Sequence, residues 1–399
     1  MRILKTTHSL APAGGGVATA IDVLSRAQQS LGHSVEVACM DDPASPWLTG
    51  RPYPVHAFPP CCLRGYGWSP AFSRWLRENL RRFDVVTIEG LWQYHGPATR
   101  AAALAAHIPY VVYPHGMLDP WFRRAYPSKH RKKALYWRLI EHRVLRDARA
   151  VIFTAAEELR QAEGEFRPWR ARSVVASLGI AAPAGDPTGR AHRWRERYPA
   201  LASRKSLLFL GRLDPKKGVD LLLDAYAATY PTPDRSSGLA PALVLAGPES
   251  DPAYTTQCRA QAQKLGLQEG RDIFWTGLLE GDWKWTALEA ADALILPSHQ
   301  ENFGYAVAEA LAVGTPVLIS KRVNIWRDIV DAAAGLADED DAAGTQRLLA
   351  AHAQWTPDLR RRFSAAAHAC FTAHFQLATA ARRQVEVLAG TAPAQSAPV

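Results

Sequence analysis

Two glutamates in the second half of the chain, Glu301 and Glu309, have the residue type and the spacing to bind one polar ligand. Seven residues separate them in HQENFGYAVAEALAVG, which runs from His299 to Gly314. The stretch follows an apolar, strand-like run, and a helix is predicted to begin near Gly304. The unpaired N–H groups of its first turn would face a ligand beyond the strand, and each carboxylate could accept hydrogen bonds from a different part of that ligand. The alternative is an ordinary buried helix that carries two solvated glutamates.

Two cations, Arg212 and Lys217, flank a second turn of the same kind. They lie in GRLDPKKG, directly after the apolar run that ends at Leu210. Fixed cations at a strand end suit a diphosphate, because each charge-assisted hydrogen bond contributes about 1.5–3 kcal/mol. The alternative is a solvated turn.

Three glycines, Gly14, Gly15 and Gly16, follow the first strand-like run and open a helical pattern. Glycine lets backbone N–H groups approach a phosphate closely, and a helix N-terminus favours an anion. The pattern is neither G-x-G-x-x-G nor a Walker A loop, since no Lys-Ser/Thr follows. A tight strand-to-helix turn is therefore the alternative to phosphate contact.

A histidine, His115, follows the strand-like run Pro109–Tyr113 and precedes Gly116. This position at a strand end predicts a functional imidazole, although most histidines of a chain are structural. His95, in WQYHG, has a similar setting and is the weaker of the two candidates.

Strand-like runs alternate with helical stretches in both halves, which predicts two α/β domains, each with a parallel, doubly wound sheet. Ligands of such sheets bind beyond the carboxyl ends of the strands, where the residues above fall. The segment 181–190 has no hydrophobic period and is predicted to link a domain of residues 1–185 to one of residues 190–374. The tail 390–399 is predicted to be disordered. The predicted strands are RILKTTHSL, Val35–Val37, Asp84–Ile88, Pro109–Tyr113, Ala150–Thr154 and Ser173–Ala176 in the first half, and SLLFLG, ALVLAG, DIFWTG, ALILPS and TPVLIS in the second.

The composition excludes several classes of protein. A chain of 399 residues, 48% hydrophobic and 21% charged, is typical of a soluble globular protein of two or three domains. The N-terminus turns polar within five residues, unlike a signal peptide, and no apolar run is long enough to span a membrane. Five scattered cysteines form no metal-binding spacing and suit a reducing cytoplasm.

The net charge of +9 is concentrated in residues 121–149, which hold ten Lys/Arg and only two acids. A basic surface predicts a phosphate-rich partner such as anionic lipid, nucleic acid or a phosphorylated ligand. The segment also carries apolar residues at helical spacing, among them Leu135, Leu139 and Val144. One interpretation is an amphipathic helix that docks on an anionic membrane and admits a lipid-linked acceptor. The other is a surface helix whose apolar stripe covers the core.

The motifs GRLDPKKGVDLLLDAY and PSHQENFGYAVAEALAVGTPVL resemble those of the retaining glycosyltransferases of the GT4 family, whose hallmark is Glu-x7-Glu. The glycine loop and VVYPHGMLDPW fit the first half of the same family, so the resemblance covers most of residues 1–390. It also resembles the members that build bacterial exopolysaccharides. It implies the GT-B fold, an α/β architecture of two Rossmann-like domains that face each other across a cleft. It also implies that the last helix, about residues 375–388, packs back on the first domain.

The resemblance assigns roles to positions of this chain. Arg212 and Lys217 would bind the donor diphosphate, Glu309 the ribose hydroxyls, and Glu301 the donor sugar. His115 would act beside the sugar at the reaction centre. The remaining donor contacts would come from the backbone of Gly15, Gly16, Asn302, Phe303 and Gly304, and the nucleobase would lie near Gly277 and Leu278.

The reaction implied is transfer of a hexose from a GDP- or UDP-sugar, with GDP-mannose slightly favoured, to a glycan or a polyprenyl-diphosphate-linked acceptor in cell-surface polysaccharide synthesis. The enzyme would be cytoplasmic, with peripheral contact to the inner face of the plasma membrane. No cofactor and no metal is expected, because cations and helix N-termini would stabilise the leaving diphosphate. Asp338-Glu339-Asp340 matches the D-x-D of metal-dependent transferases only formally, and a helix-capping role is expected for it.

Two other classes of function fit less well. A sugar-nucleotide epimerase on the same scaffold would consume the donor without an acceptor, but the Glu-x7-Glu pattern opposes it. A nucleic-acid-binding protein is suggested only by the charge, and the chain has no recognisable nucleic-acid-binding motif. We therefore expect no nucleic-acid partner.

Overall fold

The computed structural model describes residues 1–12, 16–202 and 204–391, and the chain divides into two compact units. Unit 1 comprises Met1–Gly179 together with the segment that begins at Leu377, and unit 2 comprises Ile180–Gln376. The tail for which disorder is predicted lies outside the described residues from position 392 onward.

Unit 1 is built on a seven-stranded parallel sheet of order β3-β2-β1-β4-β5-β6-β7. Its central strands are buried on both faces, which explains the apolar run of β5, whereas β1 also buries polar residues, among them Lys5. The strands are β1 Arg2–Thr7, β2 Ser34–Cys39, β3 Val55–Ala57, β4 Val85–Glu89, β5 Tyr110–Tyr113, β6 Ala150–Phe153 and β7 Ser173–Val175. The helices between them are α1 Gly16–Ser30, α2 Pro70–Asn79, α3 His95–Ala106, α4 Trp121–Ala125, α5 Pro127–Tyr136, α6 His142–Arg146 and α7 Ala156–Glu165. A π-helical stretch, Trp137–Glu141, joins α5 to α6.

Unit 2 is built on a six-stranded parallel sheet of order β10-β9-β8-β11-β12-β13. The strands are β8 Ser206–Leu210, β9 Ala242–Ala246, β10 Ile273–Gly277, β11 Ala293–Leu296, β12 Val317–Ser320 and β13 Gly335–Asp338. The helices are α8 Pro187–Arg197, α9 Val219–Thr229, α10 Thr232–Ser236, α11 Pro252–Lys264, α12 Asp282–Ala290, α13 Tyr305–Ala312, α14 Trp326–Asp331, α15 Ala342–Ala353 and α16 Pro357–Cys370. The first strand of each sheet, β1 in unit 1 and β8 in unit 2, has a parallel neighbour on both sides. Because the strands are parallel, the loops that follow neighbouring strands emerge side by side at one edge of the sheet.

The last helix, α17 (Leu377–Ala389), belongs to unit 1. Gln384 fixes it there, because its amide donates to the carbonyl of Ser177 at 2.7 Å and accepts from the hydroxyl of Tyr113 at 2.9 Å. None of the helices in the described part of the chain is both long and apolar enough to cross a bilayer.

Three details differ from the sequence-based prediction. Strands β3 and β13 were not expected: both are short and lie at sheet edges, where the apolar signal is weak. Helix α8 begins inside the predicted linker, because Asp186 caps it by accepting from the backbone N–H groups of Thr188 and Gly189, each at 2.8 Å. The boundary between the units falls after Gly179 instead of near residue 185.

Candidate active site

In unit 2, two turns that follow neighbouring strands carry most of the predicted site residues. Strands β8 and β11 pair in parallel, so the turn after each emerges at the same edge of the sheet. The backbone N–H of His299 donates to the carbonyl of Lys216 at 2.8 Å and joins the two turns. Gly218 has a φ of +68°, and a Cβ there would lie 2.6 Å from the carbonyl oxygen of Pro297. Only glycine therefore permits this close approach.

The first predicted acid and a predicted phosphate-binding cation meet at this edge. The ammonium of Lys217 pairs with the Glu301 carboxylate, and the two side chains are 13% and 18% exposed. Glu301 is held in place by its backbone N–H, which donates to the carbonyl of Arg322 at 2.9 Å. Arg212 is exposed, and none of the described residues pairs with its guanidinium. Two cations thus stand at the turn, one paired and one open to solvent.

The second predicted acid has a lysine partner of its own. Lys284 Nζ, on α12, lies 2.5 Å from Glu309 Oε1, on α13. Burial raises the pKa of Glu309, and the adjacent ammonium of Lys284 opposes that rise. The two glutamates are 18% and 14% exposed, so the alternative of two solvated acids is excluded.

The three residues that follow Glu301, at positions 302–304, are those predicted to contact the donor through their backbone. Phe303 is buried and packs edge-to-face on Tyr305, with ring centroids 5.2 Å apart, so its side chain belongs to the core. Gly304 caps α13 with a φ of +70°, and a Cβ there would lie 3.0 Å from a methyl group of Val323. The side-chain oxygen of Asn302 lies 3.5 Å from the Asn324 amide that donates to it.

The predicted nucleobase region lies at the end of β10. Gly277 ends this strand, and its carbonyl accepts from the backbone N–H of Gly247 at 2.9 Å. Leu278 follows it with 56% of its side chain exposed. An exposed apolar side chain at the end of a strand is suited to packing on the face of a base.

In unit 1, His115 lies just beyond β5 and contacts the last residue of the neighbouring strand β4. His115 Nε2 is 2.7 Å from Glu89 Oε2, and the two side chains are 4% and 1% exposed. The imidazole stacks on the Tyr113 ring at 5.8 Å. His115 has a φ of +51°, an uncommon conformation for a residue with a Cβ. The fold thus holds this imidazole in one orientation.

Glu89 is an ionised carboxylate in a buried network. Burial would raise its pKa, but the hydrogen bond with His115 and the charge of buried Lys5 hold that pKa below its usual value. The other carboxylate oxygen accepts from the Thr87 hydroxyl at 2.7 Å. Because Nε2 of His115 donates to Glu89, Nδ1 is the ring nitrogen left to accept a proton or a hydrogen bond.

The residues around His115 are fixed by a second carboxylate. The backbone N–H of Gly116 donates to Glu158 at 2.8 Å, and Thr154 donates to the same carboxylate through its N–H and its hydroxyl. The other histidine candidate, His95, is completely buried, and burial lowers its pKa to about 3. His95 is therefore a neutral core residue.

The glycine loop is described only at its end. Gly16 is the exposed first residue of α1, whereas Gly15, like Gly14, lies outside the described residues. Phosphate contact by this loop stays a prediction.

The sequence Asp338-Glu339-Asp340 does not cap a helix, contrary to expectation. Asp341 caps α15, accepting from the backbone N–H of Gly344 at 2.7 Å. Each acid instead pairs with a cation: Asp338 with Arg347 at 2.6 Å, Glu339 with Lys321 at 2.9 Å, and Asp340 with Arg322 at 2.9 Å. Across residues 1–12, 16–202 and 204–391, no three His, Cys, Asp or Glu side chains are grouped as a metal site.

Sequence reasoning missed the partners that orient the site: Lys5, Glu89, Glu158 and Lys284. Glu89 offered a signal, since it ends the strand-like run beside the His115 strand. Lys284 offered none, because only the packing of α12 on α13 brings it to Glu309.

Two family models cover most of the chain. Residues 15–179 match a glycosyl transferase 4-like domain, and residues 191–368 match the domain of the glycosyl transferases group 1. The matches coincide with the main parts of unit 1 and unit 2.

Individual relatives are distant. The chain is 25% identical over 274 residues to mannosylfructose-phosphate synthase of Agrobacterium fabrum. The aligned segment covers 66% of this chain and 59% of that protein. The chain spans about half the length of the curated relatives it matches. Among solved structures it is similar to Anabaena HepE in complex with UDP and glucose, with a TM-score of 0.74, 19% identity and coverage of 98% and 99%. It is also similar to sucrose-phosphate synthase of Thermosynechococcus elongatus, with a TM-score of 0.70, 18% identity and coverage of 97% and 98%.

Proposed function

We propose that this chain, which belongs to the glycosyltransferases of the GT4 type with the GT-B fold, catalyses a sugar transfer. The sugar moves from a nucleoside-diphosphate-sugar to a hydroxyl group of a glycan or lipid-linked acceptor. One observation carries this proposal. At one edge of the unit 2 sheet, two half-buried acids are each held by a separate lysine. The turn that carries Lys217 also carries Arg212, whose guanidinium pairs with no residue in the described part of the chain.

These groups match the parts of a nucleotide-sugar. Lys217 and Arg212 supply charge to the diphosphate, together with the N-terminus of α13. Glu309 accepts from the ribose hydroxyls, and Glu301 with the backbone of 302–304 holds the sugar. Binding exchanges partners: the Lys217 ammonium moves from the Glu301 carboxylate towards phosphate, and the freed carboxylate accepts from sugar hydroxyls. In the exchange each charged group gains a new hydrogen-bonding partner, so neither is left buried without one.

The donor base is a finer part of the proposal. GDP and UDP present the same diphosphate and ribose groups to these side chains. The solved HepE complexes contain UDP, UDP-glucose, and UDP with glucose, which favours uridine over the guanosine suggested by the sequence. The end of β10, at Gly277 and Leu278, is where the two bases would be distinguished.

The reaction needs no covalent intermediate with the protein. The bond from the anomeric carbon to the diphosphate oxygen breaks, and the leaving diphosphate keeps the electron pair. The acceptor oxygen bonds to the anomeric carbon and gives its proton to a phosphate oxygen on the same face, so configuration is retained. Cations fixed beside the diphosphate stabilise the charge as it develops, and we propose that they do so without a metal ion.

His115 is proposed to act on the sugar from unit 1. Its orientation is fixed by Glu89 at 2.7 Å, which leaves Nδ1 free to accept a hydrogen bond from a sugar hydroxyl. Positive charge develops at the anomeric carbon in the transition state. A fixed imidazole dipole beside that centre therefore contributes more in the transition state than in the ground state.

A thermal-shift panel tests the donor site. The full chain is heated with GDP, UDP, ADP or TDP in the presence of EDTA, as wild type and as Lys217→Ala. A ligand that binds only the folded state raises Tm, and the rise grows with its affinity and its concentration. We expect one nucleotide to stabilise wild type and to lose this effect in Lys217→Ala. Stabilisation by no nucleotide, or equal stabilisation of both proteins, would contradict the donor site.

The acceptor is proposed to be carried by a membrane. The apolar stripe of residues 121–149 is divided: Val144 is fully buried in the core, whereas Leu135 and Leu139 are 62% and 53% exposed. The exposed leucines stand among the exposed cations Arg131, Lys132 and Arg138. Apolar side chains within a cationic surface suit an anionic membrane, here the inner face of the plasma membrane, where a polyprenyl-diphosphate-linked acceptor of cell-surface polysaccharide synthesis would be presented. Binding to anionic vesicles tests this part.

A further inference from the structure

A small cavity in unit 1 opens beside the loop that carries His115. Its volume is about 40 Å³, which is enough for one or two waters or one hydroxymethyl group but not for a sugar ring. Met117, two residues after His115, forms part of its wall. The remaining lining residues are Asp119, Phe122, Tyr126, Lys129, His130, Lys133, Glu165 and Phe166. The donor-binding roles proposed above use none of them.

Glu165 is the group inside this cavity that has unused hydrogen-bonding capacity. Its side chain is 3% exposed, and its Oε1 accepts no hydrogen bond from any described residue. His130 Nδ1 lies 3.3 Å from Oε1, and Arg123 lies 3.8 Å from the other oxygen, but neither contact has hydrogen-bond geometry. A buried acceptor without a donor costs about 1–3 kcal/mol, so a ligand that donates to Oε1 would be stabilised.

Lys133 supplies the complementary donor. Its Nζ stands 4.6 Å from the ring centroid of Trp92 and 5.2 Å from that of Phe122, and no described residue accepts a hydrogen bond from it. Phe166, stacked on His130 at 5.0 Å, adds a flat apolar surface to the cavity. The cavity therefore offers an acceptor, a donor and aromatic walls.

These groups distinguish between two kinds of ligand. The carboxylates of Glu165 and Asp119 offset the charges of Lys129 and Lys133, and a dianionic phosphate has no proton to donate to Glu165 Oε1. A sugar hydroxyl can donate to Glu165, and a sugar oxygen can accept from Lys133. The aromatic walls suit the apolar methylene of a hydroxymethyl group. We infer that this cavity, formed in part by the loop that follows His115, is an acceptor subsite that takes one hydroxyl or hydroxymethyl group of a neutral sugar.

The inference rests on the proposed transferase function and adds the chemical class of the acceptor sugar. It makes Glu165 and Lys133 residues that select the acceptor and leave donor binding untouched. A sugar that carries phosphate at the group entering the cavity would be rejected.

The test measures sugar binding by saturation-transfer NMR on the full chain, with the stabilising nucleoside diphosphate present. The probes are the methyl glycosides of glucose, mannose and galactose, compared with glucose 6-phosphate and mannose 6-phosphate. The proteins are wild type, Glu165→Leu, which keeps an apolar side chain in place of the carboxylate, and Lys133→Met, which keeps the stem without the donor. Glu163→Gln, on the same helix and outside the cavity, is the matched control for a lost charge.

We expect at least one neutral glycoside to bind wild type and Glu163→Gln equally. The same glycoside should bind Glu165→Leu and Lys133→Met at least about tenfold more weakly. Nucleoside-diphosphate affinity should be the same in all four proteins. Three results would overturn the inference: equal glycoside binding in all four proteins, binding of the sugar phosphates alone, or no sugar binding to wild type. Absence of nucleoside-diphosphate binding to wild type would instead overturn the proposed function.

Discussion

Lys284 Nζ and Glu309 Oε1 lie 2.5 Å apart, on two helices that follow different strands of the unit 2 sheet. Lys217 forms the same kind of pair with Glu301. The acid that is proposed to bind ribose is thus half of an ion pair, and its ionisation depends on a lysine that sequence analysis did not single out.

Removing Lys284 should make nucleotide affinity depend on pH. Burial already raises the pKa of Glu309, and loss of the ammonium would raise it further. In Lys284→Met a larger fraction of the carboxyl group would be protonated at a given pH than in wild type, and the protonated group would accept less well from ribose hydroxyls. The loss of affinity relative to wild type should therefore be largest at acidic pH and should shrink as pH rises. Calorimetric titration with the stabilising nucleotide measures this.

Two further variants separate this effect from general disruption. Lys284→Arg should restore the wild-type profile, because it keeps a cation beside Glu309. Lys264→Met removes an exposed lysine of the same unit and should behave as wild type. A pH-independent loss of affinity in Lys284→Met would show that the lysine supports the fold only.

Glu89 should control turnover without affecting donor binding. Glu89→Gln keeps the size of the side chain but replaces the carboxylate that orients His115 at 2.7 Å. We expect kcat to fall about 10- to 100-fold, as when a partner that orients a ligating histidine is lost. The donor KM should stay unchanged, because unit 2 holds the nucleotide. A higher donor KM with an unchanged kcat would argue against the orienting role.

Glu141 should make stability fall as pH rises. It is fully buried, and burial raises its pKa to about 8, although the charge of Lys133 opposes this. Between the ordinary glutamate pKa and about 8, the folded state binds more protons than the unfolded state. The free energy of unfolding should therefore fall with rising pH, by at most about 1.4 kcal/mol per unit from this group. Glu141→Gln should flatten the profile of unfolding midpoint against pH.

The matched control for that experiment is Glu78→Gln, which changes an exposed glutamate of unit 1. It should keep the wild-type slope. If Glu141→Gln keeps that slope as well, another group causes the pH dependence.

The exposed leucines of the basic segment should mediate membrane binding. Leu135→Ser with Leu139→Ser removes two exposed leucines, one in α5 and one in the π-helical stretch that follows it. In a flotation experiment we expect wild type to rise with vesicles rich in phosphatidylglycerol and the double variant to remain below. Leu239→Ser, which changes a 76% exposed leucine of unit 2, is the control and should float. Wild type that does not float with anionic vesicles would contradict membrane contact.

The elements that carry the site could be predicted, but most of their contacts could not. Glu301, Glu309 and Lys217 stand after apolar runs, and the carboxyl ends of parallel strands share one edge, so their neighbourhood followed from the strand–turn–helix pattern. The pairing of Lys217 with Glu301 depended on the strand order, which sequence periodicity does not give. The pairing of Lys284 with Glu309 depended on how two helices pack, and that is set by side chains far apart in the chain.

Two errors have local causes. The start of α8 within the linker was missed because Asp186 followed by Pro187 is a capping signal inside a stretch that otherwise has no hydrophobic period. The capping role given to residues 338–340 was wrong by one residue: Asp341 caps the helix, and the strand β13 extends to Asp338. Short edge strands give too little apolar signal to fix such boundaries.

The central claim, transfer of a sugar from a nucleotide donor, is tested most directly by proton NMR of UDP-glucose and GDP-mannose incubated with the full chain and EDTA. With water as the only acceptor, we expect slow release of nucleoside diphosphate from one donor, with the free sugar first seen as the retained α-anomer. This release should be lost in His115→Ala and in Lys217→Ala. Conversion of the donor to an epimeric nucleotide-sugar, or equal release by both variants, would contradict the account.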